Sequence, residues 1–342
     1  MGRVHSLNKI VDNWSKKLEF DPLSPLLSSG NEAIEYFVHR DLLGDQVDSV
    51  QRIWHLPAAQ RILKKQLENG AWPRSGEIKH PAINYQLIET WRYFRFLVEQ
   101  YGFTRQHPQA AQAAEFLFTC QTLEGDIRGF LANQYATYYT GAIMALLIQA
   151  GYANDPRIEM GFQWLLKMRQ DDQGWTVPLI THKLDRATQY RLTSEFAQPL
   201  EPERSKPFSH NWTGMILRAF AVHPQYRYSE AAQVAARLLK SRFFQPDSYT
   251  SYQEASYWLR FEYPFWWNNL VSALDSLSLI GLSSDDEQIN LALNWLVEHQ
   301  GKDGLWKVTY AKPQEEKKTV KAREMKLWVS LAICRVLNRL YG

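Results

Sequence analysis

The stretch Trp295-Leu296-Val297-Glu298-His299-Gln300-Gly301-Lys302-Asp303-Gly304-Leu305-Trp306 holds the pattern Gln-x-x-x-Gly-x-Trp directly behind an apolar helical run. Gln300 falls where the last helical carbonyls lack partners, and its amide is expected to donate to them. Gly304 is expected to supply a turn with positive φ, and Trp306 to lay its ring over that turn. A helix end is thereby locked to the segment that follows.

The device recurs. Gln66 to Trp72 repeats it in full, Gln170 to Trp175 repeats it one residue shorter, and Gln121 to Ile127 keeps Gln and Gly but lacks Trp. A degenerate copy is read at Gln245, behind Phe243 and Phe244. The glutamines stand 55, 49, 75 and 55 residues apart, a spacing that implies one supersecondary unit used several times. Expected helices alternate in character. Those before each turn (Pro108 to Cys120, Pro156 to Arg169, Ser229 to Arg242, Asp285 to Gln300) are amphipathic and read as an outer ring. Those after it are more apolar and open with Tyr138-Tyr139-Thr140-Gly141, Asn211-Trp212-Thr213-Gly214 and Trp266-Trp267-Asn268-Asn269, and read as an inner ring. No stretch alternates at the strand period. The fold class expected is all-α, an α/α toroid of about five to six helix pairs. Residues 1–46 read as a helical extension, and 47–342 as the toroid with a long insertion at 176–209.

These Gln-Gly-Trp turns, each behind an outer helix and followed by an inner helix that opens on an aromatic residue, resemble the repeats of the terpenoid cyclase and protein prenyltransferase superfamily, which includes squalene and hopene cyclases. The resemblance spans nearly the whole chain from Val47. It implies an aromatic-lined hydrophobic cavity that holds a polyprenyl chain. The catalytic motifs of that superfamily do not carry over. Its class II cyclases use Asp-x-Asp-Asp, whose carboxylic acid protonates an alkene, and no such motif occurs here. Its prenyltransferases hold zinc with Asp, Cys and His, whereas Cys120 and Cys334 lie in apolar helical patterns and the nine histidines are scattered. No cofactor or metal is implied.

Position still points to one mouth, where inner-helix N-termini favour an anionic group. The substrate-binding residues expected there are Tyr85, Tyr138, Tyr139, Asn211, Trp212, Trp266, Trp267 and Asn268, with Arg186 and Arg191 on the long insertion beside His182 and Lys183. Arg128 approaches the same mouth, and Asn84 and Asn269 join the polar rim. The expected partner is a small hydrophobic, isoprenoid-like molecule, with or without an anionic head. A net charge of +3 gives no basis for a nucleic-acid partner, and no run reads as a signal peptide or membrane span, so the expected location is cytoplasmic. Two other classes fit the same helices. One is a carbohydrate-active toroid lyase or hydrolase, using Glu89, Glu262 or Asp275, or Tyr138, Tyr139, His182 or His210 as acid or base. The other is a non-catalytic scaffold.

Overall fold

Helices start where the sequence offers proline or a short polar cap. In the computed structural model, which describes residues 13–78, 80–179, 184–247, 254–310 and 319–342, Pro57, Pro108 and Pro156 each occupy a first helical turn. Asn31, Asn84, Asp155, Ser209, Asn269, Asp286 and Thr319 accept backbone N–H groups at N-caps. In chain order the α-helices are α1 (Leu23–Leu27), α2 (Glu32–Val38), α3 (Gln51–Trp54), α4 (Pro57–Leu63), α5 (Tyr85–Tyr101), α6 (Pro108–Thr119) and α7 (Thr137–Leu147). They continue with α8 (Pro156–Lys167), α9 (Arg186–Leu192), α10 (His210–Val222), α11 (Glu230–Lys240), α12 (Leu270–Ile280), α13 (Glu287–Glu298) and α14 (Val320–Tyr341). The described residues contain isolated β-bridges but no strand. The chain is all-α, as its sequence predicts, and is built from the helix pairs of an α/α repeat.

Two compact units divide it: Val50–Leu238 with Asp247–Gln253, and Met1–Ser49 with Leu239–Pro246 and Glu254–Gly342. In the larger unit α5, α7 and α10 pack side by side, with α6 against α5 and α8 against α7. The α7–α10 contact is the closest, and its cause is Gly141: a Cβ there would lie 2.6 Å from Ile216 Cα. In the smaller unit α12 packs on α14, and α14 on α2.

The recurring turn has a division of labour that differs from the expectation. It is the tryptophan that satisfies a carbonyl of the last helical turn. Trp72, Trp175 and Trp306 donate from Nε1 to the carbonyls of Ile62, Leu165 and Leu296, at 2.8, 2.7 and 2.6 Å, always ten residues back. The glutamine instead bridges forward. Gln66 Nε2 donates to Gly70 O in its own turn and to Gln109 O in α6, the next helix but one; Gln121 does the same to Gly125 O and to Arg157 O in α8. Gln300 donates to Gly304 O and to Phe20 O, so the last turn docks on a segment from the opposite end of the chain. Gly304 has φ +77°, and a Cβ there would lie 2.1 Å from Asp21 O, so both its conformation and its contact exclude a side chain.

Each turn also has a receiver on a later helix. The backbone N–H groups of Trp72, Ile127, Trp175 and Trp306 donate to the hydroxyls of Thr90, Thr140, Thr213 and Ser330, at 3.0–3.1 Å. The third copy is one residue out of register. There Gln173, not Gly174, takes the positive φ of +74°, and Gln170 donates to Glu203 O and Lys206 O of the insertion. At the degenerate copy Phe244 has φ +60°, and the Gln245 carbonyl accepts from Trp258 Nε1.

Candidate functional site

The openings of α5, α7 and α10 collect most of the residues expected from the sequence. Tyr138 and Tyr139 lie in the first turn of α7, and Asn211 and Trp212 in that of α10; all four are buried. Their rings form a continuous run. Phe130 stacks on Tyr139 with centroids 3.8 Å apart, Tyr139 meets Tyr138 at 4.4 Å, and Tyr138 stacks on Trp212 at 3.9 Å. Trp91 of α5 closes on Tyr139 edge-on at 5.1 Å. The run is thus two near-parallel stacks joined through Tyr138 and Tyr139, with Trp91 meeting it in the favourable edge-to-face geometry.

Asn211 is not a cap, because Ser209 holds that position and accepts from Trp212 N. A buried carboxylate from a later segment, Asp247, completes this helix start. It accepts from Ser209 Oγ at 2.6 Å and Asn211 N at 3.0 Å, with His210 Nδ1 3.7 Å away. A helix N-terminus stabilises such a charge. Only tertiary structure brings Asp247 there from a segment 37 residues beyond His210, so no local pattern signals it.

Tyr85 is half-buried at the opening of α5. Its hydroxyl accepts from His80 N at 3.1 Å, and the Arg74 guanidinium lies 4.7 Å from its ring centroid. Beside it Glu89 is buried and engaged by Arg74 Nη1 at 3.3 Å and Arg92 Nη1 at 2.9 Å. Arg95, also buried, sits 5.3 Å from the Trp91 ring centroid. Asn84, expected at the rim, caps α5 by accepting from Leu87 N.

Arg186 and Arg191 are exposed on α9, and the cations set beside the candidate aromatic residues are Arg74 and Arg95 instead. Arg128 is committed to Asp126 and Glu124; burial opposes its charge, but these carboxylates outweigh burial and hold its pKa above the ordinary value. His182 and Lys183 lie outside the described residues. The insertion around them is fastened down. Gln134, fully buried, donates to Leu192 O and Gln198 O and accepts from Leu200 N, while Asn133 donates to Ala197 O. His80 Nε2 pairs with Thr193 Oγ1 at 3.0 Å. These ties run from the insertion to the segments that open α7 and α5.

Trp266, Trp267 and Asn268 belong to the smaller unit and precede α12 rather than opening it. Asn269 is the N-cap, in a capping box with Ser272, so this stretch is not the counterpart of Tyr138-Tyr139-Thr140. The two indoles are half-buried with centroids 6.3 Å apart, both backbone N–H groups donate to Glu262 Oε1, and Asn268 Oδ1 accepts from Ser272 Oγ. Glu89, Glu262 and Asp275 are each held by such partners, Asp275 by Arg339. Burial pushes the Cys120 thiol up to about 11 and the Cys334 thiol higher still, so neither is a thiolate near neutral pH. Among the described residues no group of three or more His, Cys, Asp or Glu could hold a metal, and no helix is long and apolar enough to cross a membrane.

No family model and no curated protein matches the sequence. Several solved structures do. A protein from Actinoplanes is 18% identical over 85% of this chain and 87% of its own, with a TM-score of 0.44. An alpha-amylase from Clostridium perfringens is 14% identical over 83% and 79%, with a TM-score of 0.40. A type II terpene cyclase from Scytonema, in complex with geranylgeranyl dihydroxybenzoate, is 12% identical over 85% and 97%, with a TM-score of 0.36. At TM-scores below 0.5 these likenesses carry no argument about activity.

Proposed function

We propose that the protein binds a hydrophobic, isoprenoid-like molecule against the aromatic run at the openings of α5, α7 and α10. The supporting observation is the unbroken series Trp91, Phe130, Tyr139, Tyr138 and Trp212, which offers ring faces and edges of the kind that pack against methyl-branched chains. The resemblance of the Gln-Gly-Trp turns to squalene cyclase and prenyltransferase repeats points the same way. In this reading residues 47–342 act as one ligand-binding toroid with 1–46 as an extension, and the protein works in the cytoplasm without a nucleic-acid partner. The function proposed is binding. The carbohydrate-hydrolase alternative draws less support, because it needs two facing acids and Glu89, Glu262 and Asp275 are each engaged by arginine or backbone N–H groups.

Tryptophan fluorescence tests the proposal. Titration with geranylgeraniol is expected to quench emission saturably, and Tyr139→Ala or Trp212→Ala to weaken binding about tenfold or more, as loss of a buried ring contact worth ~1.4 kcal/mol or more requires. Absence of saturable quenching, or affinity that ignores both substitutions, would contradict it.

A further inference from the structure

The opening of α5 carries arginines, whereas that of α10 carries the Asp247 carboxylate. Thr90 faces the Trp72 turn, which fixes the orientation of the helix. At about 100° per residue, Tyr85, Arg92, Arg95 and Glu99 lie roughly 140–180° from Thr90, on the side turned away from that turn. Glu89 lies beside them, buried, with its two oxygens on Arg74 and Arg92. Among the described residues two guanidiniums, Arg74 and Arg92, therefore meet one carboxylate, Glu89, at this end of α5, an excess of one positive charge. The Arg74 and Arg92 side chains remain 29% and 42% exposed while Glu89 is only 3% exposed, so a buried carboxylate holds two accessible cations in place. Arg74 Nε is buried and has no hydrogen-bond partner among the described residues, although its guanidinium is fixed against Tyr85. A buried donor of this kind normally finds an acceptor.

The geometry points to a binding site for a singly charged oxyanion, a carboxylate, on Arg74 and Arg92, with Glu89 as the positioning residue and Tyr85 as the wall beneath. This inference rests on the proposed function: the anion is the head group of the hydrophobic ligand, and its tail runs toward Trp91, next to Arg92 in the chain and already in contact with Tyr139. It moves the anion from Arg186 and Arg191, where the sequence placed it, to the cations held by Glu89 beside Tyr85. Charge selects the class. An excess of one positive charge matches a carboxylate and leaves a diphosphate under-neutralised. A planar guanidinium also suits the two oxygens of a carboxylate.

Three probes that share one C20 isoprenoid tail separate this site from the tail site: geranylgeranoic acid, geranylgeraniol and geranylgeranyl diphosphate. The acid is expected to bind about tenfold or more tighter than the alcohol and tighter than the diphosphate. Arg74→Gln and Arg92→Gln should each erode that preference and together abolish it, leaving alcohol affinity unchanged, with Arg74→Lys restoring part of it. Unaltered alcohol binding also shows that the variants are folded. Equal affinity for acid and alcohol, an acid preference that survives the double substitution, or tighter binding of the diphosphate would overturn the carboxylate site while the hydrophobic reading stands. Failure of all three probes to bind would overturn both.

Discussion

Thr213 shows how much one hydroxyl does in this fold. Its Oγ1 accepts from Trp175 N at 3.0 Å and donates to Trp175 O at 3.2 Å in a fully buried setting. Thr213→Val keeps the shape and strands the Trp175 N–H, while Trp175 O keeps its bond from Ser209 N, so a loss of about 1–3 kcal/mol is expected in chemical denaturation. A change below ~0.5 kcal/mol would show that the receiver role is not energetic. The sequence made the tryptophan turns visible because their parts lie within seven residues of one another. It also showed the Thr-Gly pairs at Thr140-Gly141 and Thr213-Gly214, but not what they receive, since Thr213 and Trp175 are 38 residues apart. Asp247 was illegible for the same reason. Trp266 and Trp267 were placed at a helix start because they resemble Tyr138 and Tyr139 in composition; Asn269 capping three residues later decides otherwise.

Between elements, two features govern the openings of the inner helices. The first is the close approach of α7 and α10 at Gly141. Gly141→Ala would drive a methyl into the Ile216 backbone, and a destabilisation of about 1–3 kcal/mol is expected from overpacking. Thermal melting that matches the wild type would show that the helices separate freely. The second is the insertion, which the sequence marked only by its length of 34 residues. Its fastening to Gln134 depends on three hydrogen bonds from one buried carboxamide. Gln134→Ala should raise amide hydrogen exchange across residues 192–200 while leaving α10 protected. Uniform exchange in both proteins would indicate that the insertion is held by other contacts. Helix spans came through well where a proline or polar cap was local. The expected His210 to Val222 is the observed α10, whereas α9 was missed because it is short and has no buried residue.

At the scale of the molecule the smaller unit is pinned by the two ends of the chain. Gln300 reaches Phe20, and Arg335 of α14 pairs with Asp41 Oδ2 at 2.7 Å. Burial pushes the Asp41 carboxyl up, but Arg335 and Arg40 outweigh it and hold it below the usual carboxylate range. A depressed folded value contributes stability that is present above the unfolded value of about 3.9 and lost as pH falls through the folded value. The stability difference between wild type and Asp41→Asn should therefore be largest above about pH 5 and shrink below about pH 3; a difference constant with pH would contradict the pairing. What the aromatic run holds can be read by native mass spectrometry of the purified protein, followed by organic extraction. A retained isoprenoid or similar lipid, lost on Tyr139→Ala and Trp212→Ala, is the predicted result. A protein that carries no lipid and takes up none of the three C20 probes would contradict the account.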